Sequence, residues 1–344
     1  MNDEAERCAE ALWAAATAGD EYAAIDAARA ALDAGVPLET MLLDVVAVAQ
    51  ARVGLDWVAN RLTVAQEHTA TAVHERVLAV MAHEPAAHGH RAGPSKGRVS
   101  VACVDGEWHT FPARLLAEVL RLRGWQVDYL GAHVPTAHLV VHVHRTAPGT
   151  VALSGSIATR LPAAHAAITA CQAAGVPVLV GGAAFGPDGR YARLLGADAW
   201  APDARAAADL LDAGPLPRRS AAGLSADRPP HLAGHEYTLL TERAPELVRG
   251  VMADLDERVP VAEGTEPAGH TAEEVAYAVD FLRAAVYVDD PALFASFTGW
   301  TARMLATRDA PARLPAVMLD ALDARLAGLP RTREIVALAR AGLR

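Results

Sequence analysis

The first part of the chain carries apolar residues at three- and four-residue spacing, which is the pattern of amphipathic helices. Four such stretches lie between residues 3 and 83, separated by breaks at 18–20, at 34–37 and around Asn60. Short connections between helices favour antiparallel neighbours. The pattern therefore predicts a small helical bundle over residues 1–84.

From residue 98 the pattern changes to short apolar runs that alternate with helical stretches. The runs are VSVACV, VDYL, TVALSG and VPVLVGG, and the helical stretches cover 111–123, 136–146 and 161–174. A further run near Trp200 indicates an edge strand. This alternation predicts a flavodoxin-like or Rossmann-like α/β domain with a parallel sheet. Ligands of such folds bind outside the carboxyl ends of the strands.

Two segments rich in glycine and proline, 84–97 and 213–230, separate the periodic parts of the chain. We place the α/β domain between them, at 98–213, and a C-terminal all-helical domain after the second, at 231–344. The helices of this last domain are divided by breaks near 260–269, 289–291, 310–311 and 328–330. We therefore expect a multidomain protein with α, α/β and α parts.

Composition narrows the classes of function. The 344 residues are 52% hydrophobic and 21% charged, which is typical of a globular protein, and the net charge of -10 argues against direct nucleic-acid binding. No apolar run reaches the roughly 20 residues of a membrane-spanning helix, and the acidic N-terminal segment differs from a signal peptide. We expect a cytoplasmic protein without membrane contact. Cys8, Cys103 and Cys171 form no CxxC pair, so neither a disulfide framework nor a thiolate zinc site is expected.

Chemistry-bearing residues occur in three loops that follow predicted strands. His109 stands beside Glu107 and Asp105 after the first strand. Hydroxyl groups follow the third strand, and a glycine pair follows the fourth, where the missing side chains let a ligand approach the backbone. These residues are Ser154, Ser156, Thr159, Gly181 and Gly182. Together they predict a narrow slot with a histidine at its mouth.

These loops resemble the cobalamin-binding module of methionine synthase, corrinoid methyl carriers and B12 photoreceptors. Its pattern, [D/E]xHxxG, then an SxL or SxT element, then GG, is matched over about residues 98–213 by Glu107-Trp108-His109, by Ser154 and by Gly181-Gly182. The resemblance implies that His109 is the lower cobalt ligand and that the slot holds the cofactor's nucleotide tail. Pro112 departs from the pattern, which has glycine there.

Glu107 or Asp105 is then expected to accept the second ring N–H of His109 and raise its basicity as a ligand. A flavodoxin-like site for FMN is the alternative on the same fold. It would use strand-end loops but would not need His109 or the glycine pair.

The bundle holds a second motif, Trp57, nine intervening residues, then Glu67-His68. It resembles the W-x9-EH pattern of CarH-type adenosylcobalamin photoreceptors, which implies that these three residues surround the adenosyl group. An aromatic plane can shield that group and a carboxylate can accept hydrogen bonds from its ribose hydroxyls. In isolation, a core tryptophan and a solvated helix face would explain the same residues.

One position of this motif differs from the CarH pattern. Val58 stands where those proteins have a histidine that can take the upper cobalt position after light. We expect either His68, His74 or water to take that position. CarH-type proteins also carry a DNA-binding domain ahead of the bundle, whereas this chain begins at the bundle, so we expect no operator binding by this polypeptide.

The C-terminal helices are rich in aromatic residues. Six of the chain's seventeen fall within 24 residues: Tyr277, Phe281, Tyr287, Phe294, Phe297 and Trp300. The order of domains resembles the photocobilins, which implies a globin-like tail that binds biliverdin, held noncovalently because no cysteine follows Cys171. The cations available for its propionates are Arg243, Arg249, Arg283, Arg303 and Arg308. An ordinary helical core, or heme with His235 or His270 as axial ligand, are the alternatives.

The sequence thus favours a sensor rather than an enzyme: a light-sensitive protein that uses adenosylcobalamin and signals by domain or subunit rearrangement. We expect a homo-oligomer, a dimer or a light-dependent assembly, that acts on a separate output partner. The principal alternative is a corrinoid methyl carrier of a methyltransferase system. An enzyme with a radical mechanism ranks last, because the chain shows no substrate barrel.

Overall fold

The computed structural model describes residues 3–84, 96–217, 234–259, 271–308 and 310–343. The chain divides into two compact units: Met1–Ser156 with Ala163–Gly223, and Ile157–Pro162 with Leu224–Arg344. The predicted bundle and the predicted α/β domain, apart from Ile157–Pro162, therefore lie in one unit. The boundary predicted between them, at 84–98, falls mostly outside the described residues and stays a prediction.

The bundle contains the four helices that the hydrophobic pattern predicts. They are α1 (Asp3–Thr17), α2 (Glu21–Asp33), α3 (Ala47–Val58) and α4 (Val64–Met81). Buried alanines, among them Ala5, Ala16, Ala24 and Ala28, lie on the first two helices. Such small side chains allow helix axes to approach closely.

Helix α3 has an irregular start that hydrophobic periodicity did not reveal. It follows a short helical turn, Leu38–Thr40, and a π-helix, Met41–Val46. Met41, Leu42, Val45 and Val46 are buried, so the widened turn lies inside the hydrophobic core of the first unit. π-Helical turns are rare and are found often at functional sites.

The α/β part is built on the five-stranded parallel sheet that the sequence predicts. Its strands are β1 (Arg98–Cys103), β2 (Gln126–Gly131), β3 (Thr150–Ser154), β4 (Val178–Gly181) and β5 (Ala199–Ala201). The strand order is β2-β1-β3-β4-β5, which places the fifth strand at an edge. This is the flavodoxin-like order, and its switch point between β1 and β3 is where ligands of such folds bind.

Helices connect the strands at the predicted places. They are α5 (Phe111–Leu122), α6 (Thr136–Thr146), α7 (Leu161–Ala173), α8 (Arg190–Leu194) and α9 (Ala204–Asp212). Helix α5 begins directly after the loop that carries His109, and its buried Ala113, Ala117 and Leu120 belong to the hydrophobic core of the unit. The start of this helix therefore fixes one end of the histidine loop.

The second unit is helical, as predicted. Its helices are α10 (Glu236–Arg258), α11 (Ala272–Val288), α12 (Pro291–Ala306), α13 (Leu314–Asp323) and α14 (Pro330–Ala341). The short 3-10 turn Ala158–Arg160 packs against α11 within this unit. A globin-like arrangement stays a prediction. In the parts of the chain that are described, no helix has both the length and the apolar character needed to cross a bilayer.

Candidate functional site

The histidine predicted to bind cobalt is held by one carboxylate. Glu107 Oε1 lies 2.6 Å from His109 Nδ1 and accepts a hydrogen bond from the His109 backbone N–H at 2.9 Å. The other oxygen, Oε2, accepts from the backbone N–H of Ser156 at 2.7 Å. Because Glu107 takes Nδ1, the nitrogen of His109 that can bind a metal is Nε2. The carboxylate also links the loops after β1 and β3.

Electrostatics in this pair favour charge on both partners. Burial of Glu107 raises its pKa, but hydrogen bonds from the His109 ring, from the His109 backbone and from Ser156 outweigh burial and lower the pKa to about 2. The hydrogen bond to Glu107 raises the pKa of His109 against the opposing effect of burial, and the charges of Glu107 and Glu67 add to the rise. A carboxylate on the far ring nitrogen increases the basicity of a histidine ligand.

Asp105 does not share this role. Its Oδ1 lies 3.3 Å from Nδ1 of His133, a residue that the sequence analysis missed. His133 adopts a left-handed backbone with φ of 49°, donates its backbone N–H to the Glu107 carbonyl and accepts from the Gly106 N–H. Its ring stacks on the exposed Trp108, with centroids 5.1 Å apart. The signal that could have found His133 is its position just after β2, at the carboxyl edge of the sheet.

The ends of β3 and β4 approach each other through glycines. The Gly155 N–H donates to Gly181 O, and the Gly155 carbonyl accepts from the Ala184 N–H, both at 3.0 Å. Gly182 has φ of 100°, and a Cβ there would lie 2.3 Å from the Gly155 carbonyl oxygen. The Gly155 carbonyl therefore leaves no room for a side chain at Gly182, whether or not a ligand binds there.

A cavity of about 90 Å³ opens between these strand ends and the start of α5. Ser154, Gly181, Gly182 and Pro112 all line it. Pro112 stands in the first turn of α5, where a missing N–H leaves no helical hydrogen bond unmade, which explains why proline is tolerated. Ser154 and the glycine pair of the predicted slot therefore line one cavity, and the departure from the expected glycine shapes one of its walls. The places of His109, Ser156 and Thr159 in the slot stay predictions.

A wider groove of about 470 Å³ adjoins this cavity, and both have Pro112 and Gly182 in their walls. Its other side is formed by the bundle, where Asp44, Ala47 and Gln50 line it. The first unit therefore offers a narrow cavity at the sheet edge and a broader groove under the bundle, which suits a cofactor with a slender tail and a wide ring.

The W-x9-EH spacing corresponds to a helical corner. Trp57 lies in the last turn of α3, Asn60 adopts the left-handed conformation in the connection, and Thr63 begins α4 with a capping box. Glu67 follows one turn later. The nine intervening residues therefore bring the half-buried indole and the carboxylate to the same end of the bundle.

The two candidate upper ligands differ in exposure. His68 is exposed, and its Nδ1 lies 2.5 Å from Glu67 Oε2. His74 is fully buried, and its Nδ1 lies 2.7 Å from Gln50 Oε1. His74 would have to leave the bundle core to reach a ligand, so the geometry favours His68 of the two. Helix α4 also contacts the histidine loop directly, because Thr110 Oγ1 donates to Glu75 at 3.1 Å.

Thr159 lies on the 3-10 turn Ala158–Arg160, which belongs to the second compact unit. Its Oγ1 is buried and has no hydrogen-bond partner within the described residues. Its contact with a cofactor stays a prediction.

The aromatic residues of the C-terminal helices pack largely on one another. Phe281 and Phe297 stack with centroids 4.0 Å apart, and Tyr277 meets both rings edge-on. Phe294 is fully buried, and Tyr237 contacts Tyr287 edge-on. This arrangement is typical of a helical core.

Among the polar residues predicted to hold a second ligand, several already have partners. Arg243 donates to the Arg325 carbonyl at 2.7 Å, Arg283 pairs with Asp280 at 2.7 Å, and Arg308 donates to a backbone carbonyl. Three others of this predicted set, Arg249, Arg303 and His235, have exposed side chains. His270 lies outside the described residues.

Two parts of the chain match known family models. Residues 97–210 match a family model described as a B12 binding domain, and residues 8–81 match a second model with the same description. The predicted cobalamin module and its bundle are therefore both supported.

The individual proteins similar to this chain include a transcriptional repressor and a corrinoid protein of known structure. Over 189 residues it is 34% identical to the HTH-type transcriptional repressor CarA of Myxococcus xanthus, a match that spans 52% of this chain and 59% of the relative. The structure of the Methanosarcina barkeri monomethylamine corrinoid protein matches with a TM-score of 0.52 at 21% identity, over 60% of this chain and 97% of that one. The second similarity shows the shared fold.

Proposed function

Starting from a chain with two B12-binding modules, we propose that it is a light sensor that uses adenosylcobalamin. The observation that carries the proposal is the helical corner that has Trp57 in the last turn before it and Glu67 in the first turn after it, with Glu67 near enough to His109 to raise the pKa of that histidine. A methyl carrier has no need of an indole and a carboxylate at one corner of its helical bundle.

On the lower side, His109 would bind cobalt through Nε2 while Glu107 holds its Nδ1–H. The low pKa of Glu107, about 2, keeps this acceptor ionised at neutral pH. The Ser156 N–H fixes the second oxygen of the carboxylate, so the ring of His109 is oriented by both loops. Ser154, Gly181 and Gly182 would hold the nucleotide tail in the cavity at the sheet edge.

On the upper side, adenosylcobalamin would supply a cobalt–carbon bond that light can break. Trp57 would cover the adenosyl group and exclude water, and Glu67 would accept hydrogen bonds from its ribose hydroxyls. Loss of the adenosyl group would remove the one group that Trp57 on α3 and Glu67 on α4 would both contact. A ligand that stabilises one of two arrangements of an element shifts the balance between them, so the bundle is the element that would signal.

Biliverdin in the second unit is a separate hypothesis. The aromatic rings there contact one another, which an ordinary core also explains. Expression with cobalamin and biliverdin together tests it, because a bound bilin would add absorption at long wavelengths to the spectrum.

The light experiment uses the full chain reconstituted in the dark with adenosylcobalamin. We expect green light to change both the absorption spectrum and the association state measured by light scattering after size exclusion. Identical spectra and association states before and after illumination would overturn the proposal. Mass spectrometry of cofactor isolated from cells adds a second test, because a methyl group in place of the adenosyl group would favour the methyl carrier.

A further inference from the structure

Four side chains of the bundle form a continuous hydrogen-bonded row that ends at Glu67. Thr71 Oγ1 donates to Glu67 Oε1 at 2.9 Å, Gln50 Nε2 donates to Thr71 Oγ1 at 2.8 Å, and His74 Nδ1 lies 2.7 Å from Gln50 Oε1. Positions 67, 71 and 74 are spaced at one and two turns, so they share a face of α4. Gln50 reaches them from α3.

The direction of every hydrogen bond in this row follows from the carboxylate. A carboxylate only accepts, so the Thr71 hydroxyl must donate to it, and the lone pair of Thr71 then accepts from the amide N–H of Gln50. The carbonyl oxygen of Gln50 is left for His74, which must donate from Nδ1. All donors therefore point toward Glu67, and His74 is fixed as the Nδ1–H tautomer.

The imidazole is costly in this place. His74 is fully buried, and burial lowers its pKa to about 4, so it is neutral. Within the described part of the chain its Nε2 has no hydrogen-bond partner. Buried polar atoms are nearly always satisfied, and an apolar side chain would fill the same space without this cost. An apolar side chain, however, could not donate a hydrogen bond to Gln50 as His74 does.

Glu67 is the member of the row whose charge reaches His109, and Gln50 also lines the groove under the bundle. Its second oxygen is engaged by His68 at 2.5 Å. The carboxylate is thus held from both sides, by the row through Oε1 and by an exposed imidazole through Oε2. A long, flexible side chain is thereby restricted to one orientation.

We propose that His74, Gln50 and Thr71 are positioning residues that hold the Glu67 carboxylate as a fixed acceptor and so set the preference for an adenosyl over a methyl upper ligand. This inference rests on the proposed function. A methyl group offers no hydrogen-bond donor, so a fixed carboxylate stabilises only a ligand with hydroxyl groups. Sites built to hydrogen-bond a hydroxyl discriminate strongly against analogues that lack it.

The first test replaces Thr71 with valine, which keeps the shape of the side chain and removes its donor. Dissociation constants for adenosylcobalamin and methylcobalamin are measured in the dark for the full chain. We expect the preference for adenosylcobalamin to fall about tenfold, because hydrogen bonds to charged groups are among the stronger ones. Thr71→Ser, which keeps the hydroxyl group, should keep the preference of the unsubstituted chain.

The matched control is Thr69→Val, on the same helix, where the hydroxyl donates only to the Ala65 carbonyl in the described contacts. If Thr71→Val and Thr69→Val keep the same preference as the unsubstituted chain, the positioning role is wrong while the sensor proposal stands. If the unsubstituted chain has no preference, both are overturned. A chain that prefers adenosylcobalamin but does not respond to light keeps the positioning role and loses the sensor.

The second test needs no cofactor. Nitrogen-15 NMR of the histidine side chains should find His74 as the Nδ1–H tautomer in the unsubstituted chain. An Nε2–H tautomer would reverse the row and overturn the inference, whatever the cobalamin affinities are.

Discussion

At the scale of single residues, Glu107 connects more of the site than any predicted role required. One buried carboxylate accepts from the ring and the backbone of His109 and from the backbone of Ser156. Ionised acceptors make stronger hydrogen bonds than neutral ones. The position of His109 Nε2, the nitrogen that we propose binds cobalt, therefore depends on the charge of this side chain.

We expect Glu107→Gln to weaken cobalamin binding by about 10- to 100-fold, the usual cost of losing a partner of a metal-bound histidine. The amide keeps the shape but presents only one acceptor oxygen to three N–H groups. Titration of the cofactor-free chain, followed by absorbance in the dark, measures the loss. Asp105→Asn is the matched control, since Asp105 faces His133 instead. Equal losses in the two variants would contradict the assignment.

At the scale of elements, the corner between α3 and α4 is held by a buried acid beside Trp57. Asp56 accepts from Trp13 Nε1 at 2.9 Å and from Arg61 Nε at 2.8 Å. It thus joins helix α1, the end of α3 and the connection that follows. Trp57 directly follows Asp56 in α3, so it lies at this three-part junction.

Asp56→Ala is expected to lower the free energy of unfolding by about 2–3 kcal/mol, because it leaves the indole N–H and the guanidinium without their acceptor. Urea denaturation of the cofactor-free chain measures the change. The exposed pair of Arg52 and Glu10 supplies the control, and Glu10→Ala should cost only about 0.5 kcal/mol. Similar midpoints for both variants would show that the junction contributes no more than a surface ion pair.

At the scale of the whole molecule, the bundle and the sheet share a polar seam within the first unit. Arg123 binds Glu39 through two nitrogens, at 2.7 and 3.0 Å, and Arg205 binds Asp44 at 2.7 Å. Arg123 also contacts Asp209 on helix α9. The seam joins elements that are far apart in sequence, so we expect the bundle and the α/β part to unfold together. Protonation of a group buried in the bundle should then change the free energy of unfolding of the whole unit.

The stability of this unit should fall as the pH drops from 6.5 toward 4. The folded state keeps His74 neutral, with a pKa of about 4 against an ordinary 6.5, so below pH 6.5 the unfolded chain binds the extra proton. The integrated loss is roughly 3 kcal/mol. Urea unfolding at several pH values measures it, with His74→Gln as the variant that cannot titrate.

The difference between the two chains isolates His74. Burial also lowers the pKa of His165, which acts in the same direction, whereas the raised pKa of His109 acts in the opposite one, and both are common to the two chains. The contribution of Glu107 is lost only between about pH 4.5 and 2. Parallel curves for the two chains between pH 6.5 and 4.5 would contradict the prediction.

Much of the fold was predictable, because strands and helices of the α/β part differ sharply in hydrophobic period. All five strands and the four bundle helices are confirmed. The π-helix at Met41–Val46 was not predicted, since one widened turn leaves the spacing of apolar residues almost unchanged. The pairing of Glu107 rather than Asp105 with His109 was also undecided, because both carboxylates lie within four residues of the ring along the chain.

The supporting contacts of the site could not be predicted from a single sequence. His133 meets the histidine loop across 25 to 28 residues of chain, and Gln50 meets His74 across 24. Neither pair belongs to a local motif, and both depend on the packing of elements. The glycine pair was predicted as room for a ligand, whereas the structure adds the closeness of the Gly155 carbonyl to Gly182.

The π-helix before α3 also bears on the rotational phase of that helix. Each residue of an α-helix turns the chain by about 100°, and a π-turn contains one residue more than an α-turn. Removal of one residue between Met41 and Val46 would restore a regular turn and leave Trp57, eleven residues beyond Val46, nearly in phase, whereas removal of one residue from the regular turns between Ala47 and Trp57 would rotate the indole by roughly 100°. The widened turn therefore holds one extra residue of the chain without changing the direction of the indole.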